Sequence, residues 1–274
     1  GQEVFRFGDK GRGVCEFYYP LFLSNSFAYD SLIIYDIPVG RLTKIDLHAL
    51  VENQDITKCV NSEHLYRNLN FMYNFNKIDS AFIGTFIEKD EGLFSFCNRN
   101  NGEIKNTDYV PYYFYEKGRK DAYCHHVLVS EKDNSIIVPF KYMNLINCYD
   151  LDGNLKVTYA LDWIKEEINT QIRVDEHTTV TFYRTYATRN RCYLVWDGHK
   201  IEEELRKYPA KIVVMNWQGE LEKVYQLDNF ADFIIPDEKQ RMIYVGVYNA
   251  GLEFVEIYKY PMLSNKKTSP KGRF

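Results

Sequence analysis

Residues 145–159 read LINCYDLDGNLKVTY, which is an apolar run, a polar turn containing glycine, and a second extended run. Two such runs joined by an Asp- or Asn-rich turn with glycine predict a pair of antiparallel strands. The same arrangement recurs around residues 100–102 and 216–219, and a further apolar run starts at Leu252. The chain is therefore predicted to repeat a β-hairpin along its length.

Two more extended segments precede each of the last three hairpin positions, at residues 126–129 and 135–138, 180–186 and 192–196, and 233–235 and 242–247. Four consecutive strands joined by turns form one blade of a β-propeller. We therefore predict an all-β chain of four-stranded antiparallel blades. Five blades can be counted if the third strands start at Leu42, Leu93, Leu145, Ile212 and Leu252, which are 51, 52, 67 and 40 residues apart.

The irregular spacing indicates insertions, because well-known propeller blades repeat at about 40–45 residues. Residues 162–168 and 199–208 have helical spacing and helix-forming side chains, so we predict short helices there. The stretch 51–70 has no clear pattern and could hold an irregular sixth blade.

The ends of the chain indicate how the ring closes. The last blade supplies three strands that end near Tyr258, whereas residues 3–7 form an isolated extended segment. Pairing that segment with the last blade would supply a fourth strand and remove an exposed sheet edge. We predict one propeller domain over residues 1–262, followed by a polar tail at 263–274.

Residues 8–20, which we call the leading segment, read GDKGRGVCEFYYP. They resemble the Gly-x-Gly-Pro-Gly-Glu-Phe-x-x-Pro segment of NHL-like propellers and are similar to the TolB-like six-bladed propellers of exported Bacteroidetes proteins. The matching residues are Gly11, Gly13, Glu16, Phe17 and Pro20, whereas Val14 and Cys15 replace the Pro-Gly of the pattern.

This resemblance implies six blades and an exported protein, in the periplasm or at the cell surface. It implies no activity, because propellers host enzymes, signalling modules and binding proteins alike. The chain begins with Gly1, which leaves open that an export signal or a lipid anchor was removed.

Composition and motifs argue against several functional classes. A net charge of −4 does not favour a nucleic-acid partner, which usually requires a basic face. No run approaches the ~18 apolar residues of a membrane helix, and the six cysteines include no Cys-x-x-Cys pair. The chain also lacks a phosphate-binding loop and a Gly-x-Ser-x-Gly nucleophile turn. We therefore expect neither a metal nor a cofactor, and the oligomeric state is left open.

Candidate binding residues follow from the predicted blades, because propeller sites form where loops enter first strands and leave second strands. Loops of these two kinds contain Asp36, Glu88, Lys141, Thr178 and Asp232, in addition to the binding candidates named below. An arginine that faces the central channel of the propeller ring could bind a carboxylate or sulfate through two hydrogen bonds. The residues that we expect to bind a ligand are His125, Tyr142, Arg184, Trp196, Asp197 and Tyr248.

Each candidate also has a plainer interpretation. Adjacent His125 and His126 point to opposite faces of a strand, so at most one of them can reach the channel. The residues from Trp196 to His199 are explained more simply as a turn that starts a helix. The aromatic run 109–115 fits a core between blades as well as a surface that stacks on sugar rings.

Three functions fit these observations. The first is a binding module for a glycan, peptide or protein partner, which the 23 Tyr and 18 Phe and the lack of a catalytic motif favour. The second is a lyase or hydrolase that uses His125, Arg184 and Asp197 in the channel. The third is an interaction scaffold without a small-molecule site. We predict the binding module.

Overall fold

The computed structural model describes residues 8–23, 31–53, 55–65, 69, 72–86, 93–107, 126–161, 174–203, 208–249 and 254–262. The chain is an all-β protein whose five antiparallel sheets are the blades of a β-propeller, as the repeat predicted. It divides into two compact units, Gly1–Asp108 and Tyr109–Phe274. No helix among the described residues is both long enough and apolar enough to span a membrane.

The first unit contains two four-stranded sheets. The strands of the first sheet are β1 (Pro20–Phe22), β2 (Ser31–Asp36), β3 (Arg41–Asp46) and β4 (Val60–His64), in that order. The second sheet consists of β5 (Met72–Lys77), β6 (Ala81–Phe86), β7 (Ser95–Asn98) and β8 (Ile104–Asn106). A 3₁₀ turn (Ile37–Val39) joins β2 to β3, and helix α1 (Leu47–Asn53) and a second 3₁₀ turn (Ile56–Lys58) join β3 to β4.

The second unit contains three sheets. The first has the strands β9 (Leu128–Ser130), β10 (Ser135–Pro139), β11 (Leu145–Tyr149) and β12 (Leu155–Ala160). The next has β13 (Thr179–Ala187), β14 (Arg191–Lys200), β15 (Lys211–Asn216) and β16 (Leu221–Gln226). The last shows three strands among the described residues, which are β17 (Phe233–Asp237), β18 (Met242–Asn249) and β19 (Phe254–Pro261).

Alternation of side chains along the strands builds the cores. On β14, Cys192 and Leu194 pack in a core with the sheet β9–β12, whereas Tyr193 and Val195 pack in a core with the sheet β17–β19. Successive side chains of a strand point to opposite faces, so one strand supplies both cores. Each fully buried side chain of this size contributes about 1.5–3 kcal/mol through the hydrophobic effect.

The predicted hairpin turns are confirmed. Gly102, Gly153 and Gly219 close the turns between third and fourth strands, with φ values of 71°, 87° and 82°. Left-handed backbone of this kind is adopted most readily by glycine, which explains its recurrence at equivalent positions.

The structure differs from the sequence analysis in two places. Residues 51–70 do not hold an additional blade in their described part, because Val60–His64 pairs with β3 as the outer strand of the first sheet. The helix predicted at 199–208 does not start at His199, since His199 and Lys200 continue β14 and pair with Val180 and Thr179. Strand pairing there overrides helix propensity.

Several predictions fall outside the described residues. These are the closing strand 3–7, the aromatic run 109–115, the helix 162–168, the tail 263–274, and the residues Glu88 and His125. The five cysteines in the described part of the chain are buried. Cys97, Cys148 and Cys192 lie inside strands, as their apolar surroundings predicted.

The leading segment is held by one arginine. The Arg41 guanidinium donates hydrogen bonds to the backbone carbonyls of Arg12 and Gly13, both at 2.9 Å, and to that of Glu16. It also lies over the Phe17 ring, 5.6 Å from its centre. Three backbone acceptors and one aromatic face therefore surround this buried cation.

The spacing of Gly11, Gly13 and Glu16 in the leading segment has a local cause in this chain. The Glu16 carboxylate accepts a hydrogen bond from the Gly13 N–H at 2.8 Å. A Cβ atom at Gly11 would overlap that carboxylate, and one at Gly13 would lie 2.9 Å from its carbon. A side chain at either position would therefore displace the Glu16 carboxylate from its place beside the Gly13 N–H, so glycine favours this hydrogen bond.

Candidate functional site

Two consecutive bulges shape the end of the sheet β13–β16. Thr181 of β13 lies opposite both Asp197 and Gly198 of β14, between the pairs Phe182–Trp196 and Val180–His199. Tyr183 is an additional residue on β13 in the next interval. Bulges redirect side chains and are common beside functional sites.

Gly198 makes the irregular path possible. Its φ of 71° is left-handed, and a Cβ atom there would overlap the Trp196 ring. The indole therefore folds over the glycine, and the strand continues to His199 and Lys200.

The loop between β10 and β11 is fixed to the same place. Thr181 donates its backbone N–H to the Lys141 carbonyl at 2.7 Å. Its hydroxyl lies 2.8 Å, 3.0 Å and 2.9 Å from the carbonyls of Phe140, Lys141 and Met143. This one buried threonine therefore holds Lys141 and Tyr142 beside the bulge.

Cations and aromatic rings alternate around the bulge. The Lys141 ammonium lies 4.9 Å from the centre of the Tyr142 ring and 5.2 Å from that of Tyr183. The Arg184 guanidinium lies 4.7 Å from the centre of the Tyr183 ring. Aromatic faces attract cations at these distances, so the rings hold both positive charges in place.

Asp197 is the carboxyl at the centre of this group. It is 3% exposed, and both of its carboxylate oxygens are buried without a hydrogen-bond partner among the described residues. Val195, two residues earlier on the strand, pairs with Arg184 and packs toward the sheet β17–β19. Arg184 and Asp197 therefore face the same neighbouring sheet.

Burial raises the pKa of Asp197 to about 7. The Asp232 carboxylate adds to the rise, whereas the positive charges of Arg184 and Lys141 lower the pKa. In the described part of the chain, no ion pair within 4.0 Å joins Arg184 to Asp197. At neutral pH a large fraction of Asp197 therefore carries a proton.

His199, two residues after Asp197 on β14, is also a buried titratable residue. It is 1% exposed, and neither ring nitrogen has a hydrogen-bond partner among the residues that the structure describes. Burial lowers the pKa of its imidazole, Glu203 partly offsets this, and Lys141 lowers it further. The ring is therefore uncharged at neutral pH and offers one N–H donor and one nitrogen acceptor.

Unpartnered polar atoms are concentrated here. Nine buried side-chain nitrogen and oxygen atoms of the described residues lack a partner, and six of them belong to Arg184, Trp196, Asp197 and His199. Buried polar groups in folded proteins are nearly always hydrogen-bonded, so such a concentration requires an explanation.

The structure brings together most of the residues expected from the sequence. Arg184, Trp196 and Asp197 surround the bulge, and Tyr142 joins them through Lys141. Tyr248 is more peripheral: its side chain is 40% exposed, and its backbone N–H donates to the Asp232 carboxylate at 2.6 Å. His126, next to the undescribed His125, makes a 2.9 Å hydrogen bond from Nε2 with the Tyr183 carbonyl.

Sequence reasoning missed Tyr183 and His199 as site residues. The prediction of a helix after Gly198 hid His199, although Val195, Asp197 and His199 share the alternation of a strand. Two other loop residues are not part of this group. Asp36 belongs to the first unit. The Thr178 hydroxyl makes hydrogen bonds with the backbone N–H and the carboxylate of Asp175. Among the described residues, no group of three His, Cys, Asp or Glu side chains could hold a metal ion.

Comparisons with known proteins establish the fold alone. No protein-family model matches the chain, and no curated protein has a significantly similar sequence. A member of the DUF4221 family from Bacteroides vulgatus is 13% identical, with a TM-score of 0.56 over 94% of this chain and 82% of that one. A hypothetical selenium-binding protein from Sulfolobus tokodaii is 9% identical, with a TM-score of 0.50 over 85% of this chain and 56% of that one.

A protein from Bacteroides fragilis that is inferred to be exported is 10% identical, with a TM-score of 0.47 over 88% of this chain and 70% of that one. None of these matches assigns a TolB-like or NHL-like family or a sixth blade. The described residues contain five sheets, in agreement with the five blades counted along the sequence.

Proposed function

We propose that this protein is a ligand-binding module whose ligand occupies the bulge site, defined as Lys141, Tyr142, Tyr183, Arg184, Trp196, Asp197 and His199. The observation that carries the proposal is the buried carboxylate of Asp197, which has no hydrogen-bond partner among the described residues; His199, two residues later on β14, lacks one there as well. Leaving a buried polar group unsatisfied costs about 1–3 kcal/mol, and more for a charge. A ligand that supplies the missing partners accounts for this cost.

Perturbed titration supports the same assignment. A carboxyl whose pKa is displaced by burial and by specific neighbouring charges is typical of functional sites. Structural ion pairs also shift pKa values, but they do so with partners in hydrogen-bond distance, which Asp197 lacks among the described residues. An interaction scaffold without a ligand site would need no such convergence of polar groups.

Two further parts of the proposal rest on the leading segment and on composition. The resemblance of residues 8–20 to exported TolB-like and NHL-like propellers supports a location in the periplasm or at the cell surface. The aromatic surplus supports a glycan, peptide or protein as the partner.

The test is a thermal-shift and calorimetric screen of sugars, sugar acids, amino acids and short peptides. We expect stabilising compounds to lose their effect in Lys141→Gln and Arg184→Gln. Lys223→Gln is the matched control, because the Lys223 ammonium lies over the Tyr225 ring at 4.8 Å on the outer strand β16. A compound that stabilises all three variants as well as the wild type would place the ligand elsewhere.

Enzymatic activity is the second candidate, and one observation favours it. A carboxyl with a pKa of about 7 can exchange protons at neutral pH, as general acid–base catalysis requires, and the uncharged imidazole of His199 is on the same strand. Turnover of a bound compound that is lost in both Asp197→Asn and His199→Gln would support a lyase or hydrolase. Binding without turnover would leave the binding module.

A further inference from the structure

Two side chains of the bulge site lie on one face of the sheet without bonding to each other. Arg184 of β13 is opposite Val195 of β14, and Asp197 follows Val195 by two residues, so both side chains face the sheet β17–β19. Diagonal neighbours on one face of an antiparallel pair are about 7–8 Å apart, a distance that an arginine side chain can span. Nevertheless both carboxylate oxygens of Asp197 and the Nε of Arg184 lack a hydrogen-bond partner among the described residues.

The bulge on β13 explains why the two groups stay apart. Tyr183 is the additional residue of that strand, and the Arg184 guanidinium lies 4.7 Å from the centre of its ring. An aromatic face attracts a cation at this distance. The contact with Tyr183 therefore holds the guanidinium where it does not bond to Asp197.

The arginine end of this pair is the more open one. Arg184 is half-buried, and Nε is the one nitrogen of its guanidinium that is buried without a partner among the described residues. Asp197 is only 3% exposed. A ligand group would therefore approach along Arg184 and end at Asp197.

The unpartnered atoms require both kinds of hydrogen-bonding group. The two oxygens of the Asp197 carboxylate accept hydrogen bonds, whereas the Arg184 Nε–H donates one. A hydroxyl group fits both, because its hydrogen donates and its oxygen accepts. A hydroxyl can also accept from a carboxyl in its acid form, so the match holds in either protonation state of Asp197.

Two carboxylate oxygens require two donors. One hydroxyl, or one water molecule, donates to a single oxygen of Asp197 through each O–H. Two hydroxyls on neighbouring carbons can donate to both oxygens of the same carboxylate, while one of them accepts from Arg184. Carbohydrates carry such pairs of hydroxyls and bring no charge to a face that already holds an acid and a base.

Resting on the function proposed above, we propose that the bulge site binds a carbohydrate through a pair of adjacent hydroxyl groups, which donate to the Asp197 carboxylate and accept from the Arg184 Nε–H. An organic cation can donate to Asp197 but offers Arg184 no acceptor. An organic carboxylate can accept from Arg184 but offers the ionised Asp197 no donor. An amide has both kinds of group and is therefore the alternative that the experiment must separate.

The experiment titrates five uncharged probes: the methyl glycosides of glucose, galactose and mannose, 1,4-cyclohexanediol, whose hydroxyls are not adjacent, and acetamide. NMR follows the Arg184 Nε–H and the backbone N–H of Gly198, the residue after Asp197. The Gly153 N–H is the internal control, because it donates to the Asp150 carbonyl at 3.1 Å in the turn between β11 and β12. We expect at least one glycoside to shift the Arg184 and Gly198 signals saturably, whereas 1,4-cyclohexanediol shifts neither and Gly153 stays unchanged.

Variants test the two residues that carry the inference. Asp197→Asn keeps the shape but has one acceptor oxygen in place of two, so it should weaken binding of that glycoside about tenfold. Arg184→Lys keeps the charge but lacks the Nε–H and should weaken binding by about threefold or more. Arg99→Lys is the matched control, because the Arg99 guanidinium lies 5.6 Å from the centre of the Phe82 ring in the first unit, and it should leave the affinity unchanged. The Gly198 signal reports binding in all three variants.

Each outcome decides a different statement. If acetamide binds and no glycoside does, the carbohydrate inference is wrong and the ligand site stands. Equal binding of 1,4-cyclohexanediol and a glycoside would overturn the requirement for adjacent hydroxyls. Glycoside binding that neither Asp197→Asn nor Arg184→Lys weakens would overturn the assignment of these two residues. If no probe shifts the Arg184 and Gly198 signals, the carbohydrate inference is wrong. The proposed function fails as well if the thermal-shift screen finds no compound whose effect is lost in Lys141→Gln and Arg184→Gln.

Discussion

Two aspartates near the ends of second strands, Asp36 on β2 and Asp197 on β14, have nearly the same sequence setting and opposite surroundings. Both are buried, with exposures of 0% and 3%. Asp36 accepts hydrogen bonds from the backbone N–H groups of Tyr18 and Tyr19 at 2.9–3.2 Å, and the Arg41 guanidinium lies 3.9 Å away. Asp197 accepts none from the described residues.

The difference lies in the backbone near the end of each second strand. In the first unit the leading segment folds back over the end of β2, and its backbone satisfies both Asp36 and Arg41. In the second unit the bulge turns Asp197 away from any backbone donor among the described residues. One carboxylate therefore locks the fold, whereas we propose that a bound ligand satisfies the other.

The largest expected effect comes from removing the Asp36 carboxylate, which lies beside Arg41 and accepts backbone hydrogen bonds. Asp36→Ala should destabilise the protein by about 3–5 kcal/mol, because it leaves the buried Arg41 charge without its acid and two N–H groups without acceptors. Urea denaturation followed by fluorescence measures the change. A loss below about 1 kcal/mol would mean that Asp36 contributes no more to the stability of the fold than Asp197 does.

The second prediction has the opposite sign. Asp197→Asn should stabilise the ligand-free protein by about 3 kcal/mol at about pH 8, because it removes a buried carboxylate that has no hydrogen-bond partner among the described residues.

The sign of its pH dependence follows from linkage. The folded pKa of about 7 exceeds the unfolded value of about 3.9, so the wild-type folded state binds more protons and loses stability as the pH rises between them. The gain from Asp197→Asn should therefore vanish at about pH 4, where both side chains are neutral. Denaturation midpoints at both pH values test this, and an equal gain at each would contradict it.

A third prediction compares two glycines in left-handed backbone. Gly40, with φ 62°, follows the 3₁₀ turn after Asp36, and Gly198 follows Asp197. Gly40→Ala should cost about 1 kcal/mol from backbone strain alone. Gly198→Ala should cost about 2 kcal/mol or more, because the new Cβ also displaces the Trp196 ring. Equal losses of stability in thermal denaturation would show that the position of the Trp196 indole does not depend on Gly198.

The smallest expected effect sharpens the functional assignment. Lys141→Gln and Lys223→Gln each remove a cation from a tyrosine face, and both should change stability by less than about 1 kcal/mol. They should differ only in ligand binding. A large loss of stability in Lys141→Gln alone would indicate that Lys141 holds the loop and does not serve the ligand.

The candidate site was partly predictable. Arg184, Trp196 and Asp197 could be placed at one end of the sheets, because strand order and loop order follow from local patterns. His199 could not, since the residues after Gly198 have helical propensity and only pairing with Val180 keeps them in β14. A single domain over residues 1–262 and closure by residues 3–7 stay predictions.

The sequence by itself determined the repeated antiparallel blades and the glycine turns between third and fourth strands, because alternation and turn chemistry act over a few neighbouring residues. Tertiary structure alone decided which of two similar aspartates is satisfied. That outcome depends on donors and charges from segments far apart in the chain, such as Lys141, Arg184 and Asp232 around Asp197, or Tyr18 and Arg41 around Asp36. No local pattern encodes whether such a distant group arrives within hydrogen-bond distance.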